Sequence, residues 1–105
     1  MYQLAHQFVM DPEKLKQYNM KLLDPKWAAK RTLILIRDNY KCRSCNSTEN
    51  LQVHHRQYHF FDALNTYKDP WDYNNNLLIT LCKTCHDRGH ELYKVPIKRI
   101  KHGAI

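Results

Sequence analysis

Glycine is scarce in this chain: two residues in 105. Hydrophobic residues make up 43%, so the composition excludes a disordered, low-complexity protein and points to a globular one. Long apolar runs are missing as well. No stretch approaches the roughly 20 residues that a membrane helix needs, so no membrane partner is expected. Residues Met1 to Met10 lack a basic start followed by an apolar core and do not read as a signal peptide. The expectation is a cytoplasmic protein, with its four cysteines in reducing surroundings. There is no internal repeat beyond two Cys-x-x-Cys pairs.

What is present is positive charge. The formal net charge is +7 and the sequence pI is about 9.3. A small basic domain attracts polyanions, of which nucleic acid is the commonest. The length is room for one domain with a modest core, and domains of this size often recruit a metal or disulfides to make up the difference.

Two start signals open the chain's helical part. Asp11-Pro12 supplies a cap followed by proline in the first turn, with Leu15, Tyr18 and Leu22 at helical spacing. Asp24-Pro25 repeats the signal, and Trp27, Arg31, Ile34 and Leu35 share one face, which predicts a helix from about Pro25 to Arg37 ending near Asp38-Asn39. Leu51 to His55 alternates like a strand, with Leu51 and Val53 on one side. Arg56 to Asn76 reads as a long loop full of aromatic rings, with Trp71 and Tyr73 expected to pack inward. Leu77 to Leu81 reads as a second strand, and a helix is expected from about Lys83 to Tyr93, stopped by Pro96. The stretch from Ile97 to Ile105 reads as a loose basic tail. The division expected is a helical lead-in over 1–23, the main domain over 24–95 and the tail over 96–105.

Two constellations carry chemistry. Cys42-x-x-Cys45 and Cys82-x-x-Cys85 can each offer two thiolates to one tetrahedral ion from a single turn, and together they make a closed four-sulfur zinc site. Two disulfides or a redox pair are the alternatives; reducing surroundings disfavour the former and the doubled motif disfavours the latter. The second constellation is His54-His55 with His86-x-x-x-His90. On a helix, residues 86 and 90 share a face and can clasp one metal through imidazole nitrogen.

The run Cys42-x-x-Cys45, Leu51-x-Val53-His54-His55 and Leu77-x-Ile79-Thr80-Leu81-Cys82-x-x-Cys85-His86-x-x-x-His90 resembles the HNH endonuclease family. Asp24-Pro25-x-Trp27 through Arg37-Asp38-x-Tyr40-x-Cys42, and Pro70-Trp71-Asp72-Tyr73, extend the resemblance over roughly residues 24–93. It implies an α+β fold: a small ββα-metal unit of the His-Me finger kind, with a four-cysteine zinc knuckle pair and preceding N-terminal helices. It implies a metal-dependent DNA endonuclease or nickase, leaving 5′-phosphate and 3′-hydroxyl ends.

Carried over residue by residue, the resemblance makes His54, His86 and His90 ligands of one catalytic ion and His55 the general base facing the attacking water. The family's middle Asn position falls on Leu77; a one-residue bulge would bring in Asn76, with Asn75 second. Three imidazoles favour Mn²⁺, Ni²⁺, Co²⁺ or Zn²⁺ over Mg²⁺, which prefers oxygen. Arg56, Lys83, Arg88 and Lys94 flank these elements and are candidate phosphate contacts on DNA, with Lys98, Arg99 and Lys101 adding sequence-independent grip. No element dedicated to reading bases is visible. The alternative function is a non-catalytic, zinc-stabilised module that binds nucleic acid or protein; an RNA-directed nuclease is a third.

Overall fold

The computed structural model describes residues 11–92 and 94–101, apart from the side chains of residues 90–92. Among the described residues, three helices and five short strands follow one another: α1 (Pro12–Lys21), α2 (Pro25–Arg37), β1 (Leu51–His55), β2 (Tyr58–Phe61), β3 (Thr66–Tyr67), β4 (Leu78–Cys82), α3 (Lys83–Leu92) and β5 (Ile97–Ile100), with a 3-10 turn at Asn75–Leu77. The class is α+β. Among the described residues no helix is long and apolar enough to cross a membrane.

Both start signals act as expected. The Asp11 carboxylate accepts the Glu13 N–H at 2.9 Å and the Asp24 carboxylate accepts the Lys26 N–H at 2.8 Å, each satisfying a helix-end donor. At the other end of α2, Asn39 and Tyr40 take positive φ angles of 57° and 52°. That left-handed step lets the Tyr40 N–H return to the Leu35 carbonyl at 2.8 Å and stops the helix.

The core forms where α2 meets β1 and β4. Trp27, Ile34 and Leu35 bury one face of the helix against Val53, Leu78 and Tyr73, with Leu51, Trp71 and Leu77 packed at the margin. Each fully buried aliphatic side chain here contributes about 1.5–3 kcal/mol relative to exposure. Arg31 lies outside this cluster and is exposed. Trp71 and Tyr73 pack inward, as their density of rings predicts. Strands β1 and β4 pair antiparallel in an unbroken register from Leu51↔Cys82 to His55↔Leu78, and α3 follows β4 without a linking residue.

Two expectations are corrected. The stretch from Arg56 to Asn76 is not a loop throughout: β2 and β3 form an antiparallel pair inside it. The tail is not loose over Ile97–Ile100 either, because β5 runs parallel to β2 from Tyr58↔Ile97 to Phe61↔Ile100 and completes a β3-β2-β5 sheet. β5 reads as basic surface because most of its side chains are exposed; its backbone pairing with β2 holds it in place, joined by Arg99, which donates to the Asp62 carboxylate at 2.6 and 2.9 Å. From the lead-in, Tyr18 is buried against Tyr58, with ring centroids 6.0 Å apart.

Candidate metal centres and their surroundings

The β1–β4 register brings the two knuckles together. The Arg43 N–H donates to the Thr80 carbonyl at 3.0 Å, and the Lys83 N–H donates to the Asn50 carbonyl at 2.9 Å. Each knuckle is thereby tied to the opposite strand. The four sulfurs of Cys42, Cys45, Cys82 and Cys85 all lie within 4.8 Å of one another, and Cys45 and Cys82 approach to 3.6 Å. Sulfurs on one tetrahedral zinc, each about 2.3 Å from the ion, are about 3.8 Å apart, so the set fits a structural metal ion such as zinc. None of the four is in a disulfide.

The backbone is already arranged for thiolates. The Ser44 N–H points at the Cys42 sulfur at 3.4 Å and the Cys85 N–H at the Cys82 sulfur at 3.5 Å. Burial works against a charged Cys42, but hydrogen bonds reaching it from Cys82, Cys45 and Ser44 outweigh burial and bring its thiol down to about 6.

On the other side of β1 from the core, His54 meets His86 of α3. Their rings are 5.1 Å apart between centroids and inclined at 77°. Two imidazoles on one tetrahedral ion, at a metal–nitrogen distance of about 2.0–2.1 Å, place their ring centres about 5 Å apart. His86 is buried and its Nδ1 lies 3.6 Å from an Asp87 carboxylate oxygen. Position 90 is one turn further along α3; the His90 side chain lies outside the described residues. The structure thus brings together two of the three imidazoles expected to share an ion.

His55 points the other way, as strand alternation requires. It does not face water: the residue is 1% exposed. Its ring is stacked between Trp27, at 5.2 Å and 20°, and Tyr58, at 5.3 Å and 28°, with the edge of Tyr73 at 4.9 Å. The Pro70 carbonyl accepts from Nε2 at 2.9 Å, which puts the proton on that nitrogen. Burial pushes the imidazole down to about 4, only partly opposed by the Pro70 bond. The expected base is therefore a neutral imidazole enclosed by rings. Its burial follows from the aromatic stretch the sequence shows but whose partners it does not name.

The β1–β4 ladder ends at His55↔Leu78, so Asn76, expected as the middle Asn, lies just before it. Asn76 stays exposed in the 3-10 turn, its N–H capped by Asn74, and the group that orients His55 is the Pro70 carbonyl. Asn75 binds α2 instead: its side-chain oxygen accepts Lys30 at 2.6 Å and its carbonyl accepts Arg37 at 2.7 Å. Of the candidate phosphate contacts, Arg56, Arg88 and Lys94 are exposed, while Lys83 is paired with Asp87 at 2.6 Å, one turn away.

One organising residue escaped the sequence reading. Asp38, which the sequence shows only as the end of α2, is 5% exposed. Its carboxylate accepts Arg37 at 2.8 and 2.9 Å, Arg43 at 2.8 Å and the Thr80 N–H at 3.0 Å. Burial opposes the charge, but the bonds from Arg37, Arg43 and Thr80 outweigh it and hold the carboxyl well below the usual range. Asp38 thereby ties α2, the first knuckle and β4 to one another.

No family model, curated protein or solved structure gives a significant match to this chain.

Proposed function

We propose that this chain is a metal-dependent nuclease acting on DNA, built on a zinc-stapled ββα-metal unit of the HNH type. The observation that carries the reading is the juxtaposition of strand-borne His54 with helix-borne His86, beside a four-cysteine cluster that accounts separately for the structural metal. A structural zinc alone gives no reason for a second pair of ligand-type side chains at ligating separation. In this reading His54, His86 and His90 hold one divalent ion, and imidazole donors suit Mn²⁺, Ni²⁺, Co²⁺ or Zn²⁺. When bound, such an ion neutralises phosphate charge and acidifies water, the two things phosphodiester hydrolysis requires.

His55 then acts as a positioning residue. Its bond to the Pro70 carbonyl pins the end of β1, one residue from His54, so the ligand strand is held by a neutral anchor that stays neutral across the physiological range. The net charge of +7 supplies the attraction for the polyanion.

The test is nicking of supercoiled plasmid with Mn²⁺, Ni²⁺ or Mg²⁺, then with EDTA. Cleavage by the wild type that needs added metal, and that falls in His54→Ala and His86→Ala but partly recovers at higher metal, is the expected result. Cysteine-bound zinc is unchanged in both variants. RNA offered in parallel decides the polymer.

The burial of His55 favours a second reading, a non-catalytic zinc-stabilised module that binds nucleic acid or protein. A wild type that binds DNA yet cuts it under none of these metals establishes that reading instead.

A further inference from the structure

At the first knuckle the chain forms a cleft of about 320 Å³, lined by Arg37, Asp38, Asn39, Lys41, Cys42, Arg43 and Asn46. Three of its side chains are cations; its two anionic groups, the Asp38 carboxylate and the Cys42 sulfur, both belong to buried residues. The carboxylate is turned away from solvent: the Asp38 side chain is 1% exposed, and both its oxygens are taken by Arg37, Arg43 and Thr80. What the cleft shows to solvent is therefore positive. Arg37 is consumed internally, since it also donates to the Asn75 and Leu78 carbonyls. Arg43 is different. It gives one amino nitrogen to Asp38 and keeps 53% of its side chain exposed, so the rest of its fork remains for an acceptor. Lys41 is exposed and has no ion-pair partner among the described residues.

We propose that this cleft is a phosphate site, where Lys41 and Arg43 grip the backbone of a nucleic-acid strand. The inference rests on the reading of the chain as a nucleic-acid-binding domain, but not on cleavage. Asp38 has a distinct part in it: by fixing one edge of the Arg43 guanidinium it orients the free edge, so less side-chain freedom is lost when phosphate binds. The zinc knuckle fixes the backbone on both sides of Arg43. Of the other basic residues expected to meet phosphate, Lys83 is already paired with Asp87 and Arg99 with Asp62. An acidic peptide would meet the same charges, yet the cleft offers polar donors to an anion and little apolar surface to a peptide side chain.

Binding of a fluorescent DNA duplex of about 20 base pairs, read by anisotropy across a salt series, tests this. Lys41→Ala with Arg43→Ala is expected to weaken binding on the order of tenfold at about 0.1 M salt and to reduce the slope of log K against log salt by about 2, since each phosphate contact contributes about 0.9. Should Arg43→Ala disturb the fold through Asp38, Lys41→Glu reverses an exposed charge without touching that clamp and is expected to weaken binding by at least as much. If the Lys41 and Arg43 variants bind as tightly as wild type, the cleft is not a phosphate site, even where the wild type nicks plasmid. If they lose binding while the wild type never cuts, the cleft proposal stands and the nuclease reading falls. A wild type that ignores DNA and instead binds polyglutamate through Lys41 and Arg43 overturns both.

Discussion

The imidazole of His55 lies nearly parallel to the indole of Trp27, 5.2 Å between centroids and 20° between planes. A residue that the motif presents as a reagent is thus part of the packing that joins β1 to α2. His55→Ala removes a ring from an aromatic box and leaves the Pro70 carbonyl without its donor. It is expected to destabilise the domain by about 3 kcal/mol, within the range for large-to-small changes at such sites. Urea unfolding followed by circular dichroism measures it; a variant as stable as wild type but unable to cut DNA would instead restore His55 as the general base.

The same enclosure predicts a pH dependence. The folded state holds His55 at about 4, and the unfolded chain returns it to its ordinary value of about 6.5. The unfolded state therefore binds more protons between those values. The stabilisation is complete above about 6.5 and is lost as pH falls toward 4, a difference of about 3 kcal/mol at about 1.36 kcal/mol per pH unit. Zinc release also weakens the fold in acid, so the quantity to measure is the stability difference between wild type and His55→Phe at several pH values. It is expected to shrink, or shift in favour of Phe, as pH is lowered.

Asp38→Asn tests the clamp at the helix end. It keeps the shape but removes the charge that receives Arg37 and Arg43. Both arginines are partly exposed and rehydrate, so the expected loss is about 2–3 kcal/mol at neutral pH, toward the low end for a buried ion pair. Because the folded carboxyl is held below its usual range, this stabilisation is present above about 4 and is lost as pH falls further. Chemical unfolding of the two proteins at neutral and acid pH is the check.

Metal analysis of the purified protein is expected to find one tightly held zinc per chain. Cys82→Ala is expected to abolish it and unfold the domain, because Cys82 ends β4 and its sulfur receives the Cys85 N–H; in small metal-stapled domains metal binding is folding energy. A folded, zinc-free protein would refute the staple.

Removing residues 97–105 deletes β5. Strand β2 then loses its parallel partner along Tyr58 to Phe61. The expected cost is about 2 kcal/mol or more, from ladder hydrogen bonds alone, read as a lower urea midpoint. A truncated chain of unchanged stability would show that β5 contributes nothing to the sheet.

Local chemistry was legible in the sequence wherever a residue's role depends on its near neighbours. Asp-Pro pairs start α1 and α2 because a carboxylate reaches N–H groups two residues on; the two Cys-x-x-Cys turns present paired thiolates; strand alternation separates His54 from His55. What only the tertiary structure decided is what each of these faces. Alternation puts the two histidines on opposite sides but does not say which side is enclosed, and the ring stack of Trp27 and Tyr58 decided that His55 is the buried one. The parallel pairing of β5 with β2 was invisible because backbone hydrogen bonds carry no side-chain signature, and β5 leaves most of its side chains in solvent. Asp38 reads as an ordinary helix end until Arg43 of the first knuckle and the distant Thr80 N–H close around its carboxylate, since the Thr80 contact is set by the packing of α2 on β4 and not by any spacing along the sequence.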